Sequence, residues 1–272
     1  KHIPIYGATI AFKDYDLTKG VAGGEWVGLK YFKQFFNDPY CFRLIKNTFV
    51  LSFYELLWGF PAPIILALLF NEIKNKSFKK VTQSISYLPH FISTVVMVSI
   101  MMKLFSNSGI VNVIIQQLGF PKQLFFADPK WFRTLYVGSS IWKKTGWNSI
   151  IYFAALSGIS PELYEAAIMD GANRFQQIRH ITIPSIMPII SILLILATAN
   201  IMDVGFEKVY LMYNPLIYST ADVISTYVYR RGIGSFDFSY ATAVGLFNSV
   251  ISLMLLVTAN YISRKVTEYS LY

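Results

Sequence analysis

The sequence predicts an all-α, polytopic membrane protein, and three observations predict it. Of 272 residues, 54% are hydrophobic and 14% charged, whereas a soluble domain carries about 25% charged residues. Apolar stretches recur at close to the ~20 helical residues that cross about 30 Å of hydrocarbon. Phe, Tyr and Trp number 22, 18 and 5, an aromatic load suited to headgroup depth. The expected architecture is five full transmembrane helices, preceded by the end of a first one and carrying a helix in a polar cytoplasmic loop. A net charge of +9 in a soluble chain would point to nucleic acid. Here the cations are dispersed between apolar stretches, so membrane lipid and loop topology account for them and no nucleic-acid partner is expected. The single cysteine, Cys41, excludes an intramolecular disulfide and a cysteine-based metal cluster.

Residues 1–47 form the first region. Residues 3–12 (IPIYGATIAF) are apolar but too short to span. They read as the last turns of a helix that starts before Lys1, or as an interfacial segment. Residues 13–47 are polar and glycine-punctuated, with a short helix over 29–36 expected to lie along the membrane surface. The membrane-spanning core covers 48–262. Its first span is 48–70, kinked by Pro61 and Pro63 and containing Glu55, which faces the bundle interior or lies near the interface. Residues 71–80 (NEIKNKSFKK) form a short basic loop, and such loops stay cytoplasmic. The second span is 81–104, with Pro89 and His90 near its start. An outer loop, 106–133, carries a small amphipathic helix at 110–118 and the interface anchors Trp131 and Phe132. The third span is 135–159, with Lys143 and Lys144 between Trp142 and Trp147. Two lysines within a span line a polar path, pair with carboxylates, sit at a break made by Gly146, or mark a later start of the span. The fourth span is 184–204, and an outer loop follows over 205–239. The last span is 240–262, and residues 263–272 are a cytoplasmic tail.

Between the third and fourth spans lies a polar run, Ser160 to Pro184. Ser160 is a good N-cap, Pro161 suits the first helical position, and Glu162 complements the helix dipole in the first turn. Gly171 breaks or bends the helix. Phe175, Ile178 and Ile181 then carry an apolar stripe toward the next span. Counting spans from the basic loop places this run in the cytoplasm.

The spacing of Glu165-Ala166-Ala167, three residues, Gly171, nine residues, Ile181, one residue, Ile183-Pro184 resembles the EAA loop of ABC importer permeases, with Ile183 where that family has leucine. Asp170 and Ala172 fit its common form. Tyr6-Gly7, Asp14-Tyr15, Trp26-Val27-Gly28-Leu29, Leu88-Pro89-His90-Phe91 and Ser263-Arg264-Lys265 resemble the branch that imports complex sugars and oligosaccharides. The resemblance implies a subunit of the bacterial cytoplasmic membrane with a second homologous permease, two cytoplasmic ATPase subunits and an extracytoplasmic solute-binding protein as partners. Tyr164, Glu165, Ala166, Ala167, Asp170, Gly171 and Ala172 would form the ATPase-coupling surface within a loop over 158–184, ended by Ile181 and Pro184. ATP and Mg would bind the ATPase partners, with no cofactor or metal in this chain.

The sequence has no G-x-x-x-x-G-K-[ST] phosphate loop, nucleophile elbow or H-E-x-x-H pair, so no catalytic residue is assigned. Candidates for a sugar path are the polar and aromatic groups placed in spans: Tyr54, Glu55, Trp142, Lys143, Lys144, Trp147, Asn148, Asn200, Asp203, Glu207 and Asn248. Aromatic faces suit sugar rings, and amides or carboxylates suit hydroxyls. Lys143 and Lys144 either favour an acidic sugar such as a uronate or pair with Glu55 or Asp203 and hold the bundle together.

Overall fold

The computed structural model describes residues 3–20, 23–199 and 201–267. Helices dominate, and two-residue strands, Lys13–Asp14 and Glu25–Trp26, pair antiparallel. Gly24 serves that hairpin: its φ is +91° and a Cβ would lie 2.3 Å from the Asp14 carbonyl oxygen, so only glycine fits. The chain divides into two units, one of Lys1–Phe53, Ser93–Tyr136 and Asn200–Met254, the other of Tyr54–Ile92, Val137–Ala199 and Leu255–Tyr272.

Among the described residues, Cys41–Glu72, Arg174–Thr198 and Phe238–Ile262 are long and apolar enough to cross a membrane. Pro61 opens a new helix, Pro61–Glu72, but Phe60 keeps helical dihedrals, so the expected interruption is confined to the backbone ladder. The expected second span is not one helix. Lys76–Tyr87 is helical, Leu88–Phe91 is a 3₁₀ turn, and Ile92 and Ser93 are extended before the helix Thr94–Leu104. Pro89 lies inside this break rather than near a span's start, and Ser93 Oγ caps the new helix by accepting from Val96 N–H at 3.2 Å. Lys76–Leu104 counts as a further span only if both helices are taken together. The basic loop is correspondingly shorter than expected. Residues 73–75 connect the helices, and Asn75 caps the second, so Lys76, Lys79 and Lys80 are helical.

The third expected span runs as one helix from Pro129 to Ser157, 29 residues, longer at its start than the expected 135–159. Gly146 does not break it. A Cβ there would lie 1.8 Å from the Ser86 carbonyl oxygen, so the glycine marks where two backbones nearly touch. Gly146→Ala is expected to force those helices apart and to lower the thermal unfolding midpoint in detergent by several degrees, since overpacking costs about 1–3 kcal/mol; an unchanged midpoint would contradict the close approach. In the same unit Ala67, Tyr152, Leu156 and Ile186 form a buried cluster.

Phe132 is not an interface anchor. It is buried against Tyr136 at a ring separation of 6.0 Å, and Trp131 packs on Phe125 at 5.0 Å. The 110–118 helix is found as Ile110–Gln117, and the 29–36 helix as Lys30–Phe36 with Tyr31 and Phe35 buried. The segment 205–239, expected as an outer loop, is a string of short helices: Phe206–Met212, Pro215–Ile217, Tyr218–Ala221, Ile224–Tyr229 and the π turn Arg230–Gly234. Its anchor is Asp222, fully buried, which accepts from Arg230 at 3.2 and 2.8 Å and from Thr226 at 3.0 Å, with Arg43 at 3.8 Å. Asn47 Nδ2 donates to the Ser219 and Asp222 carbonyls, both at 3.0 Å.

In that unit Asp38 accepts from Tyr227, from Tyr240 at 3.0 Å and from the Tyr40 amide at 2.8 Å. Burial alone would raise the Asp38 pKa, but these hydrogen bonds and the Arg231 charge outweigh it and hold it below the usual carboxylate value. Burial and the Asp38 carboxylate push the Tyr227 pKa up to about 12. A depressed folded-state pKa gives stability that is present above the unfolded value, about 4, and lost as pH falls through the folded one. Unfolding midpoints measured from pH 6 to pH 3 are therefore expected to fall more steeply for the wild type than for Asp38→Asn, and parallel curves would remove Asp38 as a source of acid sensitivity.

Candidate functional site

The polar run 160–184 folds as the local sequence dictates. The helix Pro161–Met169 starts at Ser160, whose Oγ accepts from Glu162 N–H at 3.3 Å. It ends in a Schellman motif: Ala172 N–H donates to Ala167 O at 2.8 Å and Gly171 N–H to Ile168 O at 3.0 Å. Gly171 has φ +80°, and a Cβ there would meet nothing within 4 Å. Its requirement inside this chain is therefore conformational and not steric. Asn173 opens the next helix with a reciprocal cap, its Oδ1 accepting from Gln176 N–H at 3.0 Å and its N–H donating to Gln176 Oε1 at 2.8 Å.

Beyond Arg174–Gln177, Ile178–Thr182 is a π turn that leads into Ile183–Ala199, so the apolar stripe expected of Phe175, Ile178 and Ile181 is shifted by an extra residue in the turn. Phe175 is exposed, and Ile178 and Ile181 are half-buried. Tyr164 Oη and Thr182 Oγ1 lie 3.0 Å apart, which ties Pro161–Met169 to the base of the following helix. Along Pro161–Met169 no residue is buried. Glu165 and Ala166 are exposed, Ala167 is half-buried, and apolar Leu163, Ile168 and Met169 are open, Met169 at 87%. Asp170 is exposed and Ala172 half-buried, while Pro184 lies near the start of the long helix. Capping at both ends, a tie to the next helix and an uncovered apolar surface together make a rigid handle.

The candidate path residues fall into both units. Tyr54, Glu55, Trp142, Lys143, Lys144, Trp147 and Asn148 belong to one, and Asp203, Glu207 and Asn248 to the other. Lys144 Nζ bonds Glu55 Oε1 at 2.7 Å, so of the two carboxylates considered as partners the structure selects Glu55. Lys143 is half-buried, and Trp142, Trp147 and Asn148 are exposed. The fourth span's helix ends at Ala199. Asp203 and Glu207 lie beyond it and are exposed, whereas the neighbouring Lys208 is buried. Asn200 lies outside the described residues. Asn248 Nδ2 donates to the Met202 carbonyl at 3.3 Å, and its buried Oδ1 has no hydrogen-bond partner among the described residues.

The sequence alone did not point to His90 here. Its ring stacks on Trp147, centroids 4.6 Å apart and 7° from parallel, and Phe91 meets Trp147 edge-on at 5.4 Å. The only signal for it was the Leu88-Pro89-His90-Phe91 string, which carries a helix break. Double-variant thermodynamics separate a structural from a substrate role for the nearby pair. Glu55→Gln and Lys144→Met are each expected to destabilise, with the double variant losing less than their sum by about 0.5–3 kcal/mol. Additive losses in thermal unfolding would free Lys144 for another role.

Long apolar helices joined through a capped, uncovered polar segment define an integral membrane protein. Residues 48–268 match the binding-protein-dependent transport system inner membrane component family, and the chain belongs to that family. Protein LplB of Bacillus subtilis (strain 168) is 47% identical over 100% of this chain and 86% of its own length. The polygalacturonan/rhamnogalacturonan transport system permease protein YteP of the same organism is 44% identical over 100% and 85%. A crystal structure of a bacterial ABC transporter involved in the import of the acidic polysaccharide alginate contains a chain 43% identical, with a TM-score of 0.91 over 98% of this chain and 90% of that one. A second structure, of the bacterial alginate ABC transporter with a periplasmic protein bound to alginate pentasaccharide, gives 42% and 0.92 over 99% and 90%.

Proposed function

We propose that this chain is one permease subunit of an ATP-driven importer for acidic oligosaccharides. It pairs with a second homologous permease and receives substrate from an extracytoplasmic solute-binding protein. Pro161–Met169 lies on the cytoplasmic side and seats in a groove of one of two ATPase subunits, which bind ATP and Mg. The observation that carries the reading is the handle itself: a helix fixed at both ends with Leu163, Ile168 and Met169 uncovered fits a helix-in-groove contact. Closure of the ATPases on ATP would then rock the spans between inward- and outward-open states.

The acidic substrate class is supported by relatives at 42–44% identity, one named for polygalacturonan and rhamnogalacturonan, the other an importer of alginate. The test is uptake into vesicles by the purified importer with its binding protein. Oligogalacturonides or oligoalginate should enter in an ATP-dependent manner and neutral oligosaccharides of equal length should not. Equal uptake of neutral oligomers would overturn the acidic specificity, and purification of this chain without an ATPase would overturn the coupling assignment.

A further inference from the structure

Lys76–Tyr87 lies along Pro129–Ser157 and runs the opposite way. Lys79 Nζ sits 5.4 Å from the Phe153 ring centroid, and about two turns further along both helices the Ser86 carbonyl meets Gly146. Lys79 is therefore level with the last turn of Pro129–Ser157, just before the handle begins. The faces of Lys76–Tyr87 are inverted relative to a helix in water. Thr82, Gln83 and Ser86 are half-buried, and the hydroxyls are satisfied within the helix, Thr82 Oγ1 donating to the Phe78 carbonyl and Ser86 Oγ to the Thr82 carbonyl, both at 2.8 Å. Phe78, Val81, Ile85 and, just past the helix end, Leu88 form an i, i+3, i+7, i+10 stripe, each with 56–62% of its surface open. Apolar side chains uncovered in one line mark a contact surface. The stripe is about 15 Å long, the depth of one leaflet of a ~30 Å hydrocarbon layer.

The end of the stripe nearest the handle carries the charge. Lys74, Lys76 and Lys80 are exposed, and Glu72 is the one acid in 71–80 against them and Lys79. Among the described residues no ion pair joins these three lysines to a carboxylate. Lys76 and Lys80 stand one turn apart on a flank of the stripe, where like charges repel. The first turn of their helix holds no acid, although the helix dipole favours one there. A negative group beside Lys76 and Lys80 relieves both costs. A protein helix packed on the stripe would call for charge partners spread along its length, whereas the cations stop at Lys80 and only Ser77 and Ser84 flank the apolar line. One leaflet of apolar surface that ends in unpaired cations matches a phospholipid with an anionic headgroup. A zwitterionic headgroup brings its own cation and offsets the lysines less.

We propose that the outward face of Lys76–Tyr87 binds an anionic phospholipid. Its phosphate is held by Lys76 and Lys80 with Lys74 beside them, and an acyl chain lies along Phe78, Val81, Ile85 and Leu88. The site requires only that the chain spans a membrane, and it is independent of the coupling role given to Pro161–Met169.

The experiment has two arms. In native membranes, a photo-reactive benzoylphenylalanine replaces Phe78 or Ile85 in the assembled importer. Illumination is expected to add a phospholipid mass to this chain. A crosslink to a protein, such as a second permease, or no adduct at either position, overturns the proposal. In the second arm, native mass spectrometry of the detergent-purified importer measures retention of phosphatidylglycerol and phosphatidylcholine supplied together. Phosphatidylglycerol is expected to be the lipid retained, and the double variant Lys76→Gln, Lys80→Gln should weaken its binding about 25-fold, at about fivefold for each lysine. Both lysines are exposed, so the variant should fold, which an unchanged unfolding midpoint verifies. Lys122→Gln, an exposed cation elsewhere in the chain, should leave retention as it is. Equal retention of the two lipids, binding unchanged in the double variant, or an equal loss in Lys122→Gln would each show that the attraction is diffuse and no site exists. These outcomes leave the transport reading standing, since that reading is decided by uptake.

Discussion

Asp222→Ala is expected to lower stability by roughly 3 kcal/mol, the lower end of the cost of removing one partner from a buried ion pair. The carboxylate is fully buried and takes two bonds from Arg230, at 3.2 and 2.8 Å, with Arg43 3.8 Å away. Deleting it leaves two guanidinium groups facing each other, and only their outer parts reach solvent, at 34% and 35% side-chain exposure. That partial exposure is why the lower end of the range applies. It also removes the acceptor for Thr226 Oγ1, which helps to hold the turn of Ile224–Tyr229. The measurement is the thermal unfolding midpoint in detergent, which should fall by several degrees. The double variant Asp222→Asn, Arg230→Met should recover part of the loss, because the uncompensated charge goes with the partner. A single variant that melts with the wild type would mean that the string of short helices is held by apolar packing alone.

Asp222 also marks where reading the sequence stops. Residues 205–239 look like a loop because no apolar period runs through them. Their order comes from partners far away in the chain, such as Asn47, which reaches Ser219 and Asp222. The same holds for Gly146. Its need is imposed by the Ser86 carbonyl on another helix, so from the sequence alone it could only look like a helix breaker. The break at Leu88–Phe91 was signalled by Pro89, but a proline near the edge of an apolar run looks the same as one in its middle until the flanking helices are placed. What was legible is what short-range physics determines. Apolar length identified the spans now seen as Arg174–Thr198 and Phe238–Ile262, and Ser160, Pro161 and Glu162 located a helix start to the residue. In the candidate path, the cost of lone charges in a span raised a Glu55–Lys144 pair as one alternative among several, but nothing raised His90 against Trp147, since no spacing rule joins positions 90 and 147.

Gly171→Trp, combined with Glu165→Lys, is expected to abolish ATP-driven uptake while leaving the chain inserted and folded, with an unfolding midpoint only a few degrees below normal. The prediction separates two roles of the glycine. Its φ of +80° makes any other residue strained, by about 1–2 kcal/mol for the left-handed conformation. Asparagine tolerates that conformation best, so Gly171→Asn should keep most of the uptake. Within the chain a side chain at 171 meets no neighbouring atom within 4 Å, so the bulk of tryptophan is felt only by whatever covers this surface. Glu165 is likewise exposed, and under the coupling reading proposed above, reversing its charge would remove a charge-assisted contact with a basic ATPase residue. Under the coupling reading, Gly171→Asn transports, Gly171→Trp does not, and the ATPase subunits copurify less with the double variant. If Gly171→Trp, Glu165→Lys imports at the wild-type rate, the handle does not touch the ATPase and motion must enter the spans by another route. If Gly171→Asn fails as completely as Gly171→Trp, the geometry of the Schellman turn is the requirement, and the open space around it carries no partner.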